Sequence, residues 1–288
     1  MKDIKIIYLT NDSRRYAGMK NACLALQDEG RISDFCMAVK LEGSSEWDRF
    51  WEKKFGGASL VVARFFRNIS KSAFWEACRD FLAAHNIPYL LDAVEGKDAQ
   101  DAKGAGVKPD VASRLKGYTF YGGAENFKNF WLYASSLSDA EIPAPDEPKQ
   151  RCWAGIYHPD LAEGYTTDFA AYREKYCVPE RPTLGLLFYR DEWIWDDLAY
   201  PSAFIAEAEK QGANVVAVFT NQLPDEKLGM PSIRKVFEDF FRLDGKPVID
   251  TLVSTMKFSQ VGNGSLTVDE LKQLDVPILV AYTLLTTG

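Results

Sequence analysis

An α/β fold with two parallel-sheet domains joined by a linker is predicted by three features of the sequence. Short apolar runs alternate with amphipathic helical stretches, first near the start of the chain and again after residue 182. A proline-rich stretch, AEIPAPDEPKQ, separates the two series. The chain has 288 residues, 47% of them hydrophobic and 26% charged, which is enough for two ordinary domains. We therefore expect two doubly wound domains of the flavodoxin or Rossmann type, at 1–139 and 182–288, with a linker and connecting segment at 140–181.

The first series contains four predicted strands. IKIIYLT is a nearly continuous apolar run, as expected for a strand that is buried on both faces. SDFCMAVKL, ASLVVARFF and IPYLLDA are the next three strands. The helices predicted between them carry apolar stripes at helical spacing: Tyr16, Met19, Cys23 and Leu26, then Trp47, Phe50 and Trp51, then Phe74, Cys78, Phe81 and Leu82. This alternation predicts a parallel sheet with helices on both faces.

The middle of the chain is less regular. A polar, Gly- and Ala-rich stretch at 95–106 precedes the turn Gly122-Gly123, after which a helix is predicted. Its apolar face consists of Phe127, Phe130, Trp131, Ala134 and Leu137. RCWAGIYHPD is predicted to be extended, and a short helix is predicted at 167–175.

The second series begins at Pro182. TLGLLFY, NVVAVFT, PVIDTLVST and VPILVAYTL are its predicted strands, and helices are predicted from Pro201 to Gly212 and in MPSIRKVFEDFF. A parallel strand normally continues into a crossover helix, and none follows the last strand. We therefore expect an incomplete second domain, and a chain that is one end of a longer protein.

Composition argues against several classes of partner. The net charge is −7 and no Lys/Arg-rich run occurs, which disfavours binding to nucleic acid or to an anionic membrane. The longest apolar run, VPILVAYTLL, is about half a membrane span, and no signal peptide is evident at the start. The five cysteines are scattered and include no C-x-x-C pair. These features predict a cytoplasmic protein.

The common nucleotide-binding and hydrolase motifs do not occur. LTNDSRR follows the first strand where a dinucleotide-binding protein would have G-x-G-x-x-G, and there is no P-loop, G-x-S-x-G or EF-hand sequence. The chain is therefore expected to bind no cofactor, and ATP is expected to bind elsewhere.

Four segments, in order, resemble one family. GGAENFKNFWLY, WAGIYHP, RPTLGLLFYRDEW…AFIAEAEKQGANVVAVFT and LDVPILVAYTL are similar to segments of the large subunit of CobN-type cobaltochelatase, a family that includes the H subunit of magnesium chelatase. The resemblance runs from about residue 118 to the end. It implies a tetrapyrrole or corrin substrate, Co²⁺ or Mg²⁺ as the inserted metal, and a partner pair of AAA+ subunits that hydrolyse ATP. It also implies that this chain is the N-terminal head of such a subunit and is inactive alone.

One position departs from the family pattern. Where the family commonly has Arg-Ser-His-Trp, this chain has Arg190-Asp191-Glu192-Trp193. A histidine that could bind metal or macrocycle is thus replaced by Glu192, which leaves the choice between cobalt and magnesium open.

The first candidate site is the turn after TLGLLFY. Ligands of open α/β sheets bind outside the carboxyl ends of the strands, and a flat ring with carboxylate edges is best bound by aromatic faces and an arginine. The candidate substrate-binding residues are Tyr189, Arg190, Glu192, Trp193 and Trp195. In the alternative interpretation the two tryptophans close a domain interface, and Arg190 pairs with Asp191 or Asp197.

Gly122, Gly123 and Asn126 form a second candidate site. They lie at a predicted helix N-terminus, whose N–H groups could bind a substrate carboxylate. Glu125 would oppose an anion there, so a tight turn with capping is the alternative.

His158 is a third candidate, either as a ligand assisted by Asp160 or as a structural hydrogen-bonding residue. His85 is interpreted as a helix-end residue.

The fourth candidate lies at the end of the third strand. Arg64, Phe65, Phe66 and Arg67 could line a crevice together with Asn11 and Asp92, or could simply begin the next loop.

Other functions remain open at this point. A binding or lid module without chemistry, a scaffold that docks the ATPase partner, and a stand-alone sugar or cofactor binder of periplasmic type are the alternatives. The sequence shows no nucleophile–base arrangement that would point to further catalysis.

Overall fold

The computed structural model describes residues 3–41, 50–65, 73–92, 104–221, 223–256, 271–272 and 274–281. The chain divides into two compact units, Met1–Arg151 and Cys152–Gly288. Phe66, Arg67, Trp47 and most of the predicted 95–106 stretch lie outside the described residues.

The first unit contains the expected parallel sheet. Its four strands are β1 (Ile6–Thr10), β2 (Met37–Lys40), β3 (Leu60–Arg64) and β4 (Tyr89–Leu91), in the order β2-β1-β3-β4. Every neighbouring pair is parallel. All five residues of β1 and of β3 are buried, as the continuous apolar runs predict.

Helices cover both faces of this sheet. They are α1 (Ser13–Asp28), α2 (Phe50–Phe55), α3 (Ala73–Ala84), α4 (Pro109–Tyr121) and α5 (Ala124–Ser136). Ile7 and Leu9 pack with Phe55 and Cys78 on one face. On the other face, Tyr8 meets Phe130 of α5 edge to face.

Helix α4 was not predicted from the sequence. Pro109 occupies its first turn, a favourable place for proline, but its apolar pattern is weak. Leu115, Tyr118 and Thr119 are its buried residues, and Gly117 interrupts the segment. Gly122 and Gly123, with φ angles of 69° and 87°, form the corner to α5.

The second unit has a mixed sheet, which corrects the expectation of a purely parallel one. The strand order is β12-β11-β7-β8-β5-β6. The parallel part consists of β7 (Thr183–Tyr189), β8 (Asn214–Thr220), β11 (Thr251–Ser254) and β12 (Ile278–Val280). β5 (Gly155–Tyr157) pairs antiparallel with both β8 and β6 (Tyr165–Thr166). The chain enters this edge through a short hairpin rather than through a crossover helix, so β5 runs opposite to β8.

The remaining elements complete the second unit. The helices are α6 (Phe169–Tyr176), α7 (Arg190–Ile194), α8 (Ala199–Lys210) and α9 (Ile233–Phe240), and a small hairpin is formed by β9 (Arg242–Leu243) and β10 (Lys246–Pro247). Val236, Phe237 and Phe240 of α9 share a core with Leu187 and Val218.

The segment predicted as a linker, 140–181, contains ordered structure. Residues up to Arg151 belong to the first unit, and β5, β6 and α6 belong to the second. The proline-rich part is held by hydrogen bonds to α4, where Arg114 donates to Pro145 O and Tyr118 Oη donates to Asp146 O at 2.6 Å. Because these contacts involve backbone carbonyls, they fix the path of the chain rather than a side chain alone.

Within the described part of the chain, no helix is long and apolar enough to cross a membrane.

Candidate functional site

The strand order of the second sheet reverses direction between β7 and β11, which makes this position a topological switch point. The chain passes from β7 to β8 on one side, then returns to place β11 on the other side of β7. Open α/β sheets bind ligands at the carboxyl ends of the two strands that flank such a reversal. Tyr189 ends β7 at this edge, Arg190 follows it, and Thr255 follows β11.

A buried carboxylate lies at this edge. Glu192, in α7, is 3% exposed, and Tyr200 Oη donates a hydrogen bond to Glu192 Oε2. The Tyr200 hydroxyl also lies 2.9 Å from Thr255 Oγ1. Tyr200 is half-buried, so this hydrogen-bonded chain connects a partly exposed phenol with a buried carboxylate.

This arrangement is suited to proton transfer and to binding a polar group. A carboxylate can take a proton through a hydroxyl that is hydrogen-bonded to it. Its oxygens also suit hard divalent cations. Among the described residues, however, no group of three His, Cys, Asp or Glu is placed to hold a metal ion.

Arg190 is directed into the second unit. Its side chain is 2% exposed, Nε donates to Cys152 O at 2.7 Å, and the guanidinium lies 4.2 Å from the centre of the Trp153 ring. The arginine therefore joins the start of α7 to the segment that enters β5.

The two tryptophans of the turn are also interior residues. Trp193 is 5% exposed and stacks on Phe219 with ring centres 4.2 Å apart, while Trp195 is 3% exposed. Tyr165 meets Trp193 edge to face. Both indoles are therefore buried side chains of the second unit, and neither presents an exposed face to a flat ring.

The Gly122–Asn126 corner is held by the first unit itself. Asn126 is 2% exposed, and its Nδ2 donates to Gly122 O and to Lys149 O, both at 2.8 Å. Lys149 N donates to Asn126 Oδ1 at 3.0 Å. A Cβ atom on Gly123 would lie 2.1 Å from Arg151 Nη1, so the Arg151 side chain covers this corner. These contacts are those of a structural corner.

His158 has structural partners. Its ring is 2% exposed, Nδ1 accepts from Asp160 N at 3.1 Å, and Nε2 lies 3.1 Å from Glu209 Oε1. Because Nδ1 accepts a hydrogen bond, the proton is assigned to Nε2, which donates to Glu209. His85, by contrast, is exposed and stacks on Phe81 at a helix end.

The residues predicted to meet at the carboxyl edge of the first sheet do so in part. Arg64 Nη1 donates to Asp92 Oδ2 at 2.7 Å. Phe65 is buried in the apolar core beside Trp75, and Asn11 is half-buried after β1.

Sequence reasoning missed Tyr200 and Thr255 at the β7–β11 edge, and it missed Thr119, whose Oγ1 accepts a hydrogen bond from Arg64 Nη1 at 2.7 Å. Thr255 could have been identified, because it ends a predicted strand at the edge where ligands bind. Tyr200 lies eight residues after Glu192 in the first turn of α8, and no local pattern links the two.

The fold defines a chain of two α/β units. In the second unit, polar side chains lie at the carboxyl ends of β7 and β11, where the strand order reverses. Comparison with known proteins gives the family. A family profile described as CobN/Magnesium Chelatase matches residues 116–288, more than half of the chain. The chain therefore belongs to the CobN/magnesium chelatase family.

Individual proteins of this family are also similar to the chain. The magnesium-chelatase H subunit of Rhodobacter capsulatus is 37% identical over 241 residues, which is 78% of this chain and 18% of that protein. The corresponding protein of Cereibacter sphaeroides is 32% identical over 267 residues, 88% of this chain and 20% of that protein. The solved catalytic subunit of cobaltochelatase from Mycobacterium tuberculosis has the same fold over 98% of this chain and 21% of its own length, with a TM-score of 0.60 and 17% identity. This chain thus spans about a fifth of the length of these proteins.

Proposed function

We propose that this chain is part of the large, tetrapyrrole-binding subunit of an ATP-dependent chelatase that inserts Co²⁺ or Mg²⁺ into a corrin or porphyrin ring. The proposal is carried by the family match over residues 116–288, which includes the whole β7–β11 edge. ATP would be hydrolysed by AAA+ partner subunits, since this sequence contains no P-loop. The cytoplasm is the proposed location.

Glu192 and Tyr200 are assigned to the macrocycle. Metal insertion displaces the inner N–H protons of the ring, two from a porphyrin and one from a corrin, so at least one proton must leave the ring. The half-buried Tyr200 hydroxyl can contact a ring edge, and Glu192 behind it can accept a proton through that hydroxyl. This is also the position at which Glu192 replaces the histidine of the family pattern.

A non-catalytic module is the second candidate. The burial of Arg190, Trp193 and Trp195 favours it, because these side chains stabilise the unit instead of forming an exposed platform for a flat ring. Such a module would serve as a lid over the macrocycle or would dock the ATPase partner.

A porphyrin titration separates the two candidates. The chain is titrated with protoporphyrin IX and with a metal-free corrin, following the absorbance of the macrocycle and the quenching of tryptophan fluorescence. Tyr200→Phe removes the hydroxyl that donates to Glu192 and is expected to weaken binding about tenfold, the effect of one hydrogen bond to a charged group. Glu192→Gln keeps the shape of the side chain and removes its charge.

Tyr176→Phe is the matched control. Its hydroxyl donates to Asp160 O in the same unit, away from the β7–β11 edge, and its loss is expected to leave binding unchanged. Binding that is saturable and insensitive to both edge variants would place the macrocycle elsewhere. No binding by the unmodified chain would favour the docking module.

A further inference from the structure

The first sheet has its own switch point, which lies before residues 116–288, the range that the family profile matches. Its strand order is β2-β1-β3-β4, so the chain adds β2 on one side of β1 and then β3 and β4 on the other side. The switch point therefore lies between β1 and β3. Thr10 and Arg64 end these two strands side by side, in register. Tyr8 lies two residues before Thr10 and therefore on the same face of the sheet.

Charged side chains converge at this edge although they are buried. Arg15, Arg64 and Asp92 are 4%, 6% and 6% exposed. Arg64 Nη1 donates to Asp92 Oδ2 and to Thr119 Oγ1, each at 2.7 Å, and Arg15 Nε lies 3.4 Å from Asp12 Oδ2. Buried ion pairs contribute little net stability, because desolvation offsets their attraction. Their concentration at a ligand-binding edge therefore points to a function.

The Tyr8 hydroxyl indicates that a ligand could bind at this edge. Tyr8 is 0% exposed, and its Oη has no hydrogen-bond partner among the residues that the structure describes. A buried hydroxyl without a partner is costly and uncommon in native proteins. Burial raises the pKa of Tyr8, so the phenol stays protonated and is a donor at neutral pH. The positive charges of Arg64 and Arg15 act on the Tyr8 hydroxyl more strongly than the negative charges of Asp92 and Asp12. The surroundings of this hydroxyl therefore favour an acceptor oxygen.

We propose that the carboxyl edge between β1 and β3 binds an oxyanion group, such as a carboxylate, with Tyr8 Oη as the donor and with Arg64 and Arg15 supplying positive charge. Asp92 and Asp12 already neutralise the two guanidinium groups, so the anion competes with them and the affinity is modest. The site does not depend on the function proposed for the β7–β11 edge.

Tyr8→Phe tests the site because it removes one oxygen and keeps the ring. Melting temperatures are measured with increasing inorganic phosphate or acetate, with sodium chloride holding the ionic strength constant. The unmodified chain is expected to show a saturable rise, and Tyr8→Phe is expected to bind at least about tenfold more weakly. Tyr118→Phe is the control, because that hydroxyl donates to Asp146 O inside the fold. Without anion, Tyr118→Phe is expected to lower the melting temperature and Tyr8→Phe to leave it unchanged.

A third arm with protoporphyrin IX identifies the source of the oxyanion. If phosphate or acetate gives the Tyr8-dependent shift, the ligand is a small free anion; if only protoporphyrin does, the ligand is a carboxylate of the macrocycle. Tyr200→Phe is expected to leave the Tyr8-dependent shift unchanged. The two proposals can therefore fail independently of each other. The proposal is overturned if no probe gives a saturable shift, if Tyr8→Phe shifts as the unmodified chain does, or if Tyr8→Phe alone destabilises the protein as much as Tyr118→Phe.

Discussion

Trp193 shows how burial limits what a residue can do. It follows a strand at the carboxyl edge of the second sheet, yet it is 5% exposed and stacked on Phe219. Trp193→Ala is therefore expected to lower the free energy of unfolding by about 3–5 kcal/mol, as large truncations in cores do. Denaturant titration measures this loss. Phe35→Ala, at a side chain that is 50% exposed, should change stability by less than about 0.5 kcal/mol. Equal effects of the two substitutions would contradict the burial of Trp193.

Gly185 is a second residue whose role depends on close packing. A Cβ atom there would lie 2.7 Å from Ile249 Cδ1 and 3.1 Å from Leu252 Cδ1, in the middle of β7. Gly185→Ala is expected to destabilise the second unit by about 1–3 kcal/mol through overpacking. Ile249→Val removes the methyl group that is in the way, so it should recover part of this loss in the double variant. Additive losses in the complete mutant cycle would rule out that steric cause.

Buried thiols make the stability depend on pH. Burial raises the pKa of Cys23 and of Cys78 to about 12, whereas an unfolded cysteine has a pKa of about 8.5. Above that value the unfolded state loses the thiol proton and the folded state keeps it, so the stability falls as the pH rises. The slope is about 1.4 kcal/mol per pH unit for each thiol. Urea unfolding between about pH 8.5 and pH 10 should show a smaller slope for Cys78→Ala than for the unmodified chain; identical slopes would contradict the assignment.

At the scale of the elements, the corner between α4 and α5 holds the proline-rich segment. Asn126 exchanges hydrogen bonds with the backbone of Lys149, and Arg114 donates to Pro145 O. Asn126→Ala should speed trypsin cleavage after Lys149 by about tenfold or more, because local opening loses these bonds. Mass spectrometry of the products locates the cut. Arg79→Ala, which alters an exposed pair with Asp80, is the control. A segment cleaved equally fast in both variants would not be held by Asn126.

Strands were the elements that the sequence specified best. The continuous runs of β1, β7 and β8 have lengths and flanks that exclude a helix, and the structure places strands there. Helix α4 lacked a clear apolar stripe, so periodicity could not detect it. The antiparallel pairing of β5 follows from contacts with β8, far away in sequence, which a local pattern does not contain.

For the candidate sites, too, the sequence predicted some features and could not predict others. The rule that ligands bind at the carboxyl ends of strands drew attention to Glu192, Arg64 and Asp92, and the structure places these residues at the carboxyl edges of the two sheets. The rule could not show which way a side chain turns. Arg190 and Trp193 pack inward because Trp153 and Phe219 lie beneath them, and those partners come from other strands and segments. Tyr200 and Thr255 reach Glu192 through the fold, not through spacing.

At the scale of the whole molecule, the chain is about a fifth of the proteins that it resembles. The family match covers the second unit and the end of the first, so family membership bears most directly on the β7–β11 edge. The β1–β3 edge lies mainly outside that match. The two edges are therefore separate hypotheses that can be tested in one protein.

Hydrogen–deuterium exchange with and without protoporphyrin IX tests the central claim most directly, because it locates the macrocycle on the chain. The account predicts slower exchange in peptides that cover residues 189–200 and 251–256, with loss of that protection in Tyr200→Phe. Exchange that is unchanged in both peptides while protoporphyrin is bound would contradict the assignment of the β7–β11 edge.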